Sequence, residues 1–353
     1  MSTPETPSAP VPMKPLEGNS ELRAPAWVGV GARREFMGRA FHALCLFATL
    51  AGIAGLAVLM IAVAIQAYGW LDWQFLTSYD DLSKPAKAGI LAGFWGSVWL
   101  IVLTAAFSIP MGVGAAVYLE EYAKGTWLTR LIQLNIANLA GVPSIVYGIL
   151  GLTVFVRNLG MFGTARQGMV VRFMGMSVDV PLPLGPVVLS GALTLSLLVL
   201  PTVIIATQEA LRSIPASLRH ASLALGATKW QTIRNQVLPA AIPGILTGVI
   251  LALSRAMGEA APLLMLGVPT YLSSTPGGIE SAAEVVTNPT AVVKAPFTVG
   301  TAMPLLVFNW VTLPKRDFRH VAAAGILVLM GLLLVMNAAA IVIRQRFTRR
   351  IRW

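Results

Sequence analysis

Arg255 and Glu259 stand four residues apart in the segment RAMGEAAPLL, inside one of the most apolar stretches of a 353-residue chain. No charge occurs from Leu246 to Ser254 or from Pro262 to Val268. Four-residue spacing places both side chains on one face of a helix, within reach of each other. An isolated charge at mid-bilayer costs on the order of 3 kcal/mol on insertion scales, and a partner facing the protein interior lowers that cost. Two chemistries fit. A buried ion pair would fix helix packing. Alternatively, the planar guanidinium fork, protonated at any relevant pH, would supply donors to a passing oxyanion. The carboxylate would then neutralise Arg255 between passages and keep the site weak enough to release its cargo. Intramembrane charges are functional by default, so the second chemistry leads.

The other residues capable of chemistry assemble no rival site. Cys45 is the single cysteine, lies in an apolar run and is read as a packing residue. His42, His220 and His320 show no ligand spacing, so no metal is expected. The chain has no H-E-x-x-H, no G-x-S-x-G and no aspartate pair within its apolar runs, which argues against an intramembrane hydrolase. It has no G-x-x-x-x-G-K-[ST] loop either, so it does not itself hydrolyse ATP. Asn135, Asn138 and Ser144 read as ordinary interhelical hydrogen-bonding residues, ahead of a role in lining a path. Thr202 and Thr207 are expected to satisfy their own backbone, and Glu120 and Glu121 to form a solvated boundary.

The elements that must hold Arg255 and Glu259 emerge from composition. The chain is 56% hydrophobic and 12% charged, against about 25% charge in soluble domains. Its mean hydropathy is +0.73. Apolar runs at 41–68, 88–118, 131–156, 184–207, 240–267 and 321–343 each exceed the ~20 residues a helix needs to cross a bilayer. The expectation is an all-α polytopic membrane protein with six transmembrane helices over 41–343. The first run is too long for a signal peptide and is read as a retained helix. Ahead of it, residues 1–40 form an expected disordered Pro-rich tail, with prolines at 4, 7, 10, 12, 15 and 25. Residues 344–353 form a basic C-terminus. With the N-terminus inside, sixteen Lys and Arg fall in inner segments and nine in outer ones. This places both termini in the cytoplasm and explains the +11 charge without nucleic acid. Glycine pairs at 89 and 93 and at 244 and 248 suit close helix approach, and equally the ordinary glycine background of membrane helices.

The inner segment 208–239 is too patterned for a passive connector. Ser213-Ile214-Pro215 reads as a helix start. Leu218, Ala221, Ser222 and Leu225 then recur on one small-to-apolar face, with Arg219 and His220 off it. Gly226 reads as the stop. Thr228 and Gln231 form a capping box that begins a second short helix, ending at Leu238-Pro239. Such a pair of helices outside the membrane fits a groove on a partner protein. It fits equally an interfacial position, with Arg219, Lys229 and Arg234 on lipid phosphates.

HASLALG, with LP twelve residues later, resembles the EAA loop of ABC-importer permeases. In that pattern E-A-A is succeeded by three residues, G, nine residues, I, one residue and L-P. Ala221, Gly226, Leu238 and Pro239 match in register, whereas His220, Ser222 and Gln236 replace the glutamate, the second alanine and the isoleucine. NLAGVPSIVYGILGL at 138–152, residues 88–123, RAMGEAAPLL and the closing FNW…P…F at 308–318 resemble the PstA-type permeases of bacterial phosphate importers. The resemblance runs from about residue 88 to the end. That family usually has threonine where this chain has Ala260, so one hydroxyl contact is absent.

The resemblance implies a type I ABC-importer permease of MetI-like fold in the bacterial inner membrane. It implies that Leu218, Ala221, Ser222, Leu225, Gly226, Leu238 and Pro239 couple the chain to a dimeric ATPase, and that ATP and magnesium bind there and not on this chain. A homologous PstC-type permease and an external phosphate-binding protein would complete the importer, with the outer segments 157–183 and 268–320 receiving the latter. Arg255 and Glu259 would lie on the phosphate path. A permease for another oxyanion or small solute, and a stand-alone channel or ion-coupled carrier, are the competing expectations.

Overall fold

A computed structural model describes the backbone at residues 31–157, 169–173, 176–180 and 184–350. Most of the expected tail, residues 1–30, lies outside these, as do residues 351–353. The described residues fall into two units that divide after Met60, and the helix packing lies within the second.

Long apolar runs become long helices, because a helix satisfies its backbone internally wherever water is absent. α1 spans Gly31–Ala67 and so starts ten residues before the apolar run, within the expected tail. α2 is Leu91–Val117, extended by a π-turn at Tyr118–Tyr122. α3 is Trp127–Ala140 and α4 is Ser144–Gly151. α5 is Val188–Arg212 and α6 is Ala216–Ala224. α7 runs over Lys229–Met257, with the short α8, Ala261–Leu266, after it. α9 is Met303–Thr312 and α10 is Asp317–Arg350. α1, α2, α5, α7 and α10 are long and apolar enough to cross a membrane. The third expected span is a helix pair, Trp127–Ala140 and Ser144–Arg157, bent by 104°. Gly141 and Pro143 occupy the bend, where proline disfavours helix at the residue before it.

Directions can be read from side-chain partners. Thr104 of α2 donates to the Ala192 carbonyl of α5, and Ser196 of α5 donates back to the Thr104 carbonyl, both at 3.3 Å. Further along, Gly112 lies against Val203. α2 and α5 therefore run parallel, so the chain between them returns once through the bundle, which the bent pair accomplishes. Gly244 and Gly248 of α7 lie against Ala210 and Ala206 of α5, in the opposite direction. That glycine pair serves helix approach, as its spacing allowed. Gly89 and Gly93 instead admit the Ser78 backbone and Leu306. α10 runs antiparallel to α7, with Ser254 bonded to Asn337 and Arg344 donating to Thr247 at 3.1 Å.

α9 lies within 268–320, a segment expected to stay outside the spans. It closes one end of the bundle. Its first amide, at Met303, donates to Ser97 at 2.9 Å. Trp310 is fully buried among Phe75, Phe318 and Val321, and its indole donates to Asp80 at 2.9 Å. Burial strips water from the Asp80 carboxylate and pushes its pKa up to about 6. One addition to an all-helical plan is an antiparallel hairpin, β1 Met169–Phe173 with β2 Met176–Val180, in the segment before α5.

Candidate functional site

Arg255 occupies the last turn of α7, where the helix C-terminus favours a cation. α7 stops at Met257, and Glu259 lies in the break before α8. The continuous helix expected over 240–267 is thus interrupted. Pro262, in the first turn of α8, has no N–H to donate and its ring would clash with the carbonyl four residues back. The pair forms nevertheless, with Arg255 Nε at 3.5 Å from Glu259 Oε1.

Of the pair expected to face the protein interior, Glu259 is largely covered and Arg255 is not. Arg255 is 57% exposed and Glu259 21%. The buried stripe of α7 runs through Ile245, Val249, Ala252 and Ala256. Arg255 sits one residue off that stripe and shares an open face with Leu251 and Gly258. The result is a charged pair at a helix break, with its arginine on a face of the bundle that this chain leaves uncovered. A passing anion could reach such a guanidinium without unpacking the core.

The 213–239 loop keeps its expected start, turn and cap. Pro215 precedes α6. Gly226 turns the chain with φ +82°, a left-handed conformation that glycine adopts at no steric cost. Thr228 caps Lys229 onward, and both halves of its capping box with Gln231 are made. The second helix, however, is no separate short one. It continues through a π-turn at Ile233–Val237 into the membrane span. The Leu238 amide reaches back to the Ile233 carbonyl, and that widened turn accommodates Pro239 without ending the helix. Leu238 packs against the bundle core.

Leu218, Ala221, Ser222 and Leu225 line a groove of about 450 Å³, together with Ala227 of the turn and Gln231, Asn235 and Gln236 of the facing helix. Leu225 is 90% exposed. The structure therefore brings four of the loop residues together, uses Gly226 as their hinge, and places Leu238 and Pro239 outside the groove lining.

Glu120 and Glu121 are not a solvated boundary. Glu120 accepts two 2.9 Å bonds from Arg212 Nε, and Glu121 pairs with Arg219 at 2.9 Å. Lys229 adds a contact 5.1 Å above the Tyr122 ring. Partners 92 residues apart and 98 residues apart leave no local signature, beyond acidic residues at one helix end and basic ones at another. Three smaller expectations also change. Asn135 donates to Leu131 of its own helix instead of a neighbouring one. The buried Thr207 hydroxyl has no partner among the described residues. Cys45 is exposed. No cluster of His, Cys, Asp or Glu able to hold a metal occurs among the described residues.

Residues 108–353 match the protein family described as binding-protein-dependent transport system inner membrane component. The probable ABC transporter permease protein YqgH of Bacillus subtilis is 32% identical over 248 residues, 69% of this chain and 74% of that one. The phosphate transport system permease protein PstA of Yersinia pestis is 28% identical over 302 residues, 81% of this chain and 88% of that one. Among solved structures, a chain of a bacterial alginate ABC transporter, crystallised with its alginate pentasaccharide-bound periplasmic protein, superposes with a TM-score of 0.57. That likeness covers 92% of this chain and 98% of that one at 16% identity, and it shows a common fold.

Proposed function

The chain belongs to the family of binding-protein-dependent transport system inner membrane components, and on that premise we propose that it is the permease subunit of an ATP-driven phosphate importer. The observation that carries the phosphate reading is the Arg255–Glu259 pair, whose arginine lies on the uncovered face of α7, in a chain related to PstA over most of its length. A homologous permease would cover that face, so that the path runs between two subunits. In a low-dielectric lining, Arg255 would offer two parallel N–H donors to phosphate oxygens. Glu259 would compete for the same donors, which keeps the anion moving rather than bound.

The energy would come from a separate ATPase seated on the groove between α6 and the start of α7, on the cytoplasmic side. Lys and Arg bias puts both termini on that side. An external binding protein would deliver phosphate at the opposite end. This chain would contribute half of the gate and no catalysis. YqgH, a relative whose name specifies no cargo, is equally compatible with a second reading in which another oxyanion is carried.

The test is reconstitution. The chain, co-expressed with its neighbouring permease, ATPase and binding-protein genes, should co-purify and import phosphate into liposomes only with ATP. Equal uptake of sulfate or molybdate in its place would favour the second reading. Uptake by the purified chain alone, without ATP, would replace both with a channel or carrier.

A further inference from the structure

α6 buries none of its residues fully, so apolar packing does not hold it in place. Polar links must do so, and they converge on one side chain. Arg219 Nε and Nη2 donate to Glu121 Oε1 at 3.1 and 2.9 Å. The same Nη2 donates to the Leu211 carbonyl at 2.9 Å, and Nη1 to the Ile214 carbonyl at 2.8 Å. Glu121 belongs to the π-turn that ends α2. Leu211 lies in the last turn of α5, where a cation is favoured. One guanidinium thus ties α6 to the ends of two spans.

The arrangement differs from an ordinary surface ion pair, which contributes about 0–1 kcal/mol because water screens it. Arg219 and Glu121 are only 23% and 10% exposed. The fork geometry also matters, because arginine alone presents several donors in fixed directions. Two weaker links run alongside: the Arg212–Glu120 pair, whose arginine is 55% exposed, and a 2.9 Å bond between the Ser222 and Thr232 hydroxyls that joins α6 to α7.

We propose that Arg219 is a positioning residue that makes α6 and the ends of α2 and α5 move as one body, so that a displacement imposed on α6 enters both spans together. The proposal rests on the permease reading. It assigns to Arg219 and Glu121 the transmission step and leaves the docking groove to Leu218, Ala221, Ser222 and Leu225.

The experiment measures phosphate imported per ATP hydrolysed by the reconstituted complex. Loss of a charged hydrogen bond of this kind should lower that ratio about tenfold in Glu121→Gln and in Arg219→Gln, while loaded binding protein still stimulates ATP hydrolysis. The double variant should be no worse than the poorer single one, and Glu121→Asp should recover most of the ratio. Additive losses, or an unchanged ratio in Glu121→Gln, would overturn the linkage. A second measurement uses the otherwise intact complex and needs no variant of the pair. Spin labels at Leu223→Cys and Lys124→Cys, in a Cys45→Ser background, should keep one separation with and without ATP. A change of several ångströms would show that α6 slides on α2 and would overturn the proposal. If the unmodified complex imports no phosphate, the phosphate reading falls, and the label separation still decides the linkage.

Discussion

Two of the interruptions in the second half of this chain, on either side of α7, are built by different means. At Gly226 the helix stops because a glycine takes φ +82° and Thr228 caps the next helix. At Gly258–Ala260 the break uses ordinary backbone, with Gly258 at φ −88°. Pro262 interrupts the helix, and the break is packed from outside as well: Gly148 of α4 lies so close to Pro262 that a Cβ there would come within 2.7 Å of the Pro262 backbone. The first interruption is made by local residues alone, and the second by a local proline that a neighbouring helix also packs against. The first leaves a groove exposed, and the second presents a charge to a face this chain does not cover.

Substitutions can probe this contrast. The largest effect is expected at the charge itself. Arg255→Gln should lower ATP-dependent phosphate uptake about a hundredfold, the scale seen when one preorganised donor to an anion is lost. ATP hydrolysis should persist, and undiminished uptake by a well-assembled variant would remove Arg255 from the path. Next, Gly148→Val should overpack the contact with Pro262 and destabilise the fold by about 2 kcal/mol. A lower thermal midpoint of the solubilised complex would register it. Gly226→Ala should cost about 1 kcal/mol, because alanine resists a positive φ. Its main signature should be a smaller import-to-ATP ratio. Thr228→Ala should weaken the same turn by about 0.5–1 kcal/mol through loss of the cap, read as faster hydrogen exchange at Lys229 to Gln231. The smallest effect is expected at Gly258→Ala, within about 0.5 kcal/mol, since a Cβ there meets only the Arg255 carbonyl at 3.7 Å. A large loss at Gly258 would show that both breaks depend on glycine and would erase the distinction.

The legible features were those whose physics is local. Span count comes from apolar length, with the reservation that Gly141 and Pro143 bend the third run by 104°. The turn at Gly226 and the Thr228–Gln231 box are short-range chemistry and were readable. Pro239 misled, because a proline reads as an end, while a π-turn of five residues absorbs it. Glu120 and Glu121 misled for a different reason. Two carboxylates at a helix end look solvated until the helices that carry Arg212 and Arg219 are brought beside them.

The order of residues alone dictates that this chain crosses a membrane, that the chain turns at Gly226 ahead of a Thr228 cap, and that one arginine lies among apolar residues with a glutamate in reach. Those conclusions depend on transfer energies and backbone conformations of nearby residues. That Arg255 faces outward and that Arg219 ties together two spans emerges only from the packed helices. A helix presents every direction in turn, at about 100° per residue, and which directions stay open is set by the neighbours that pack against it.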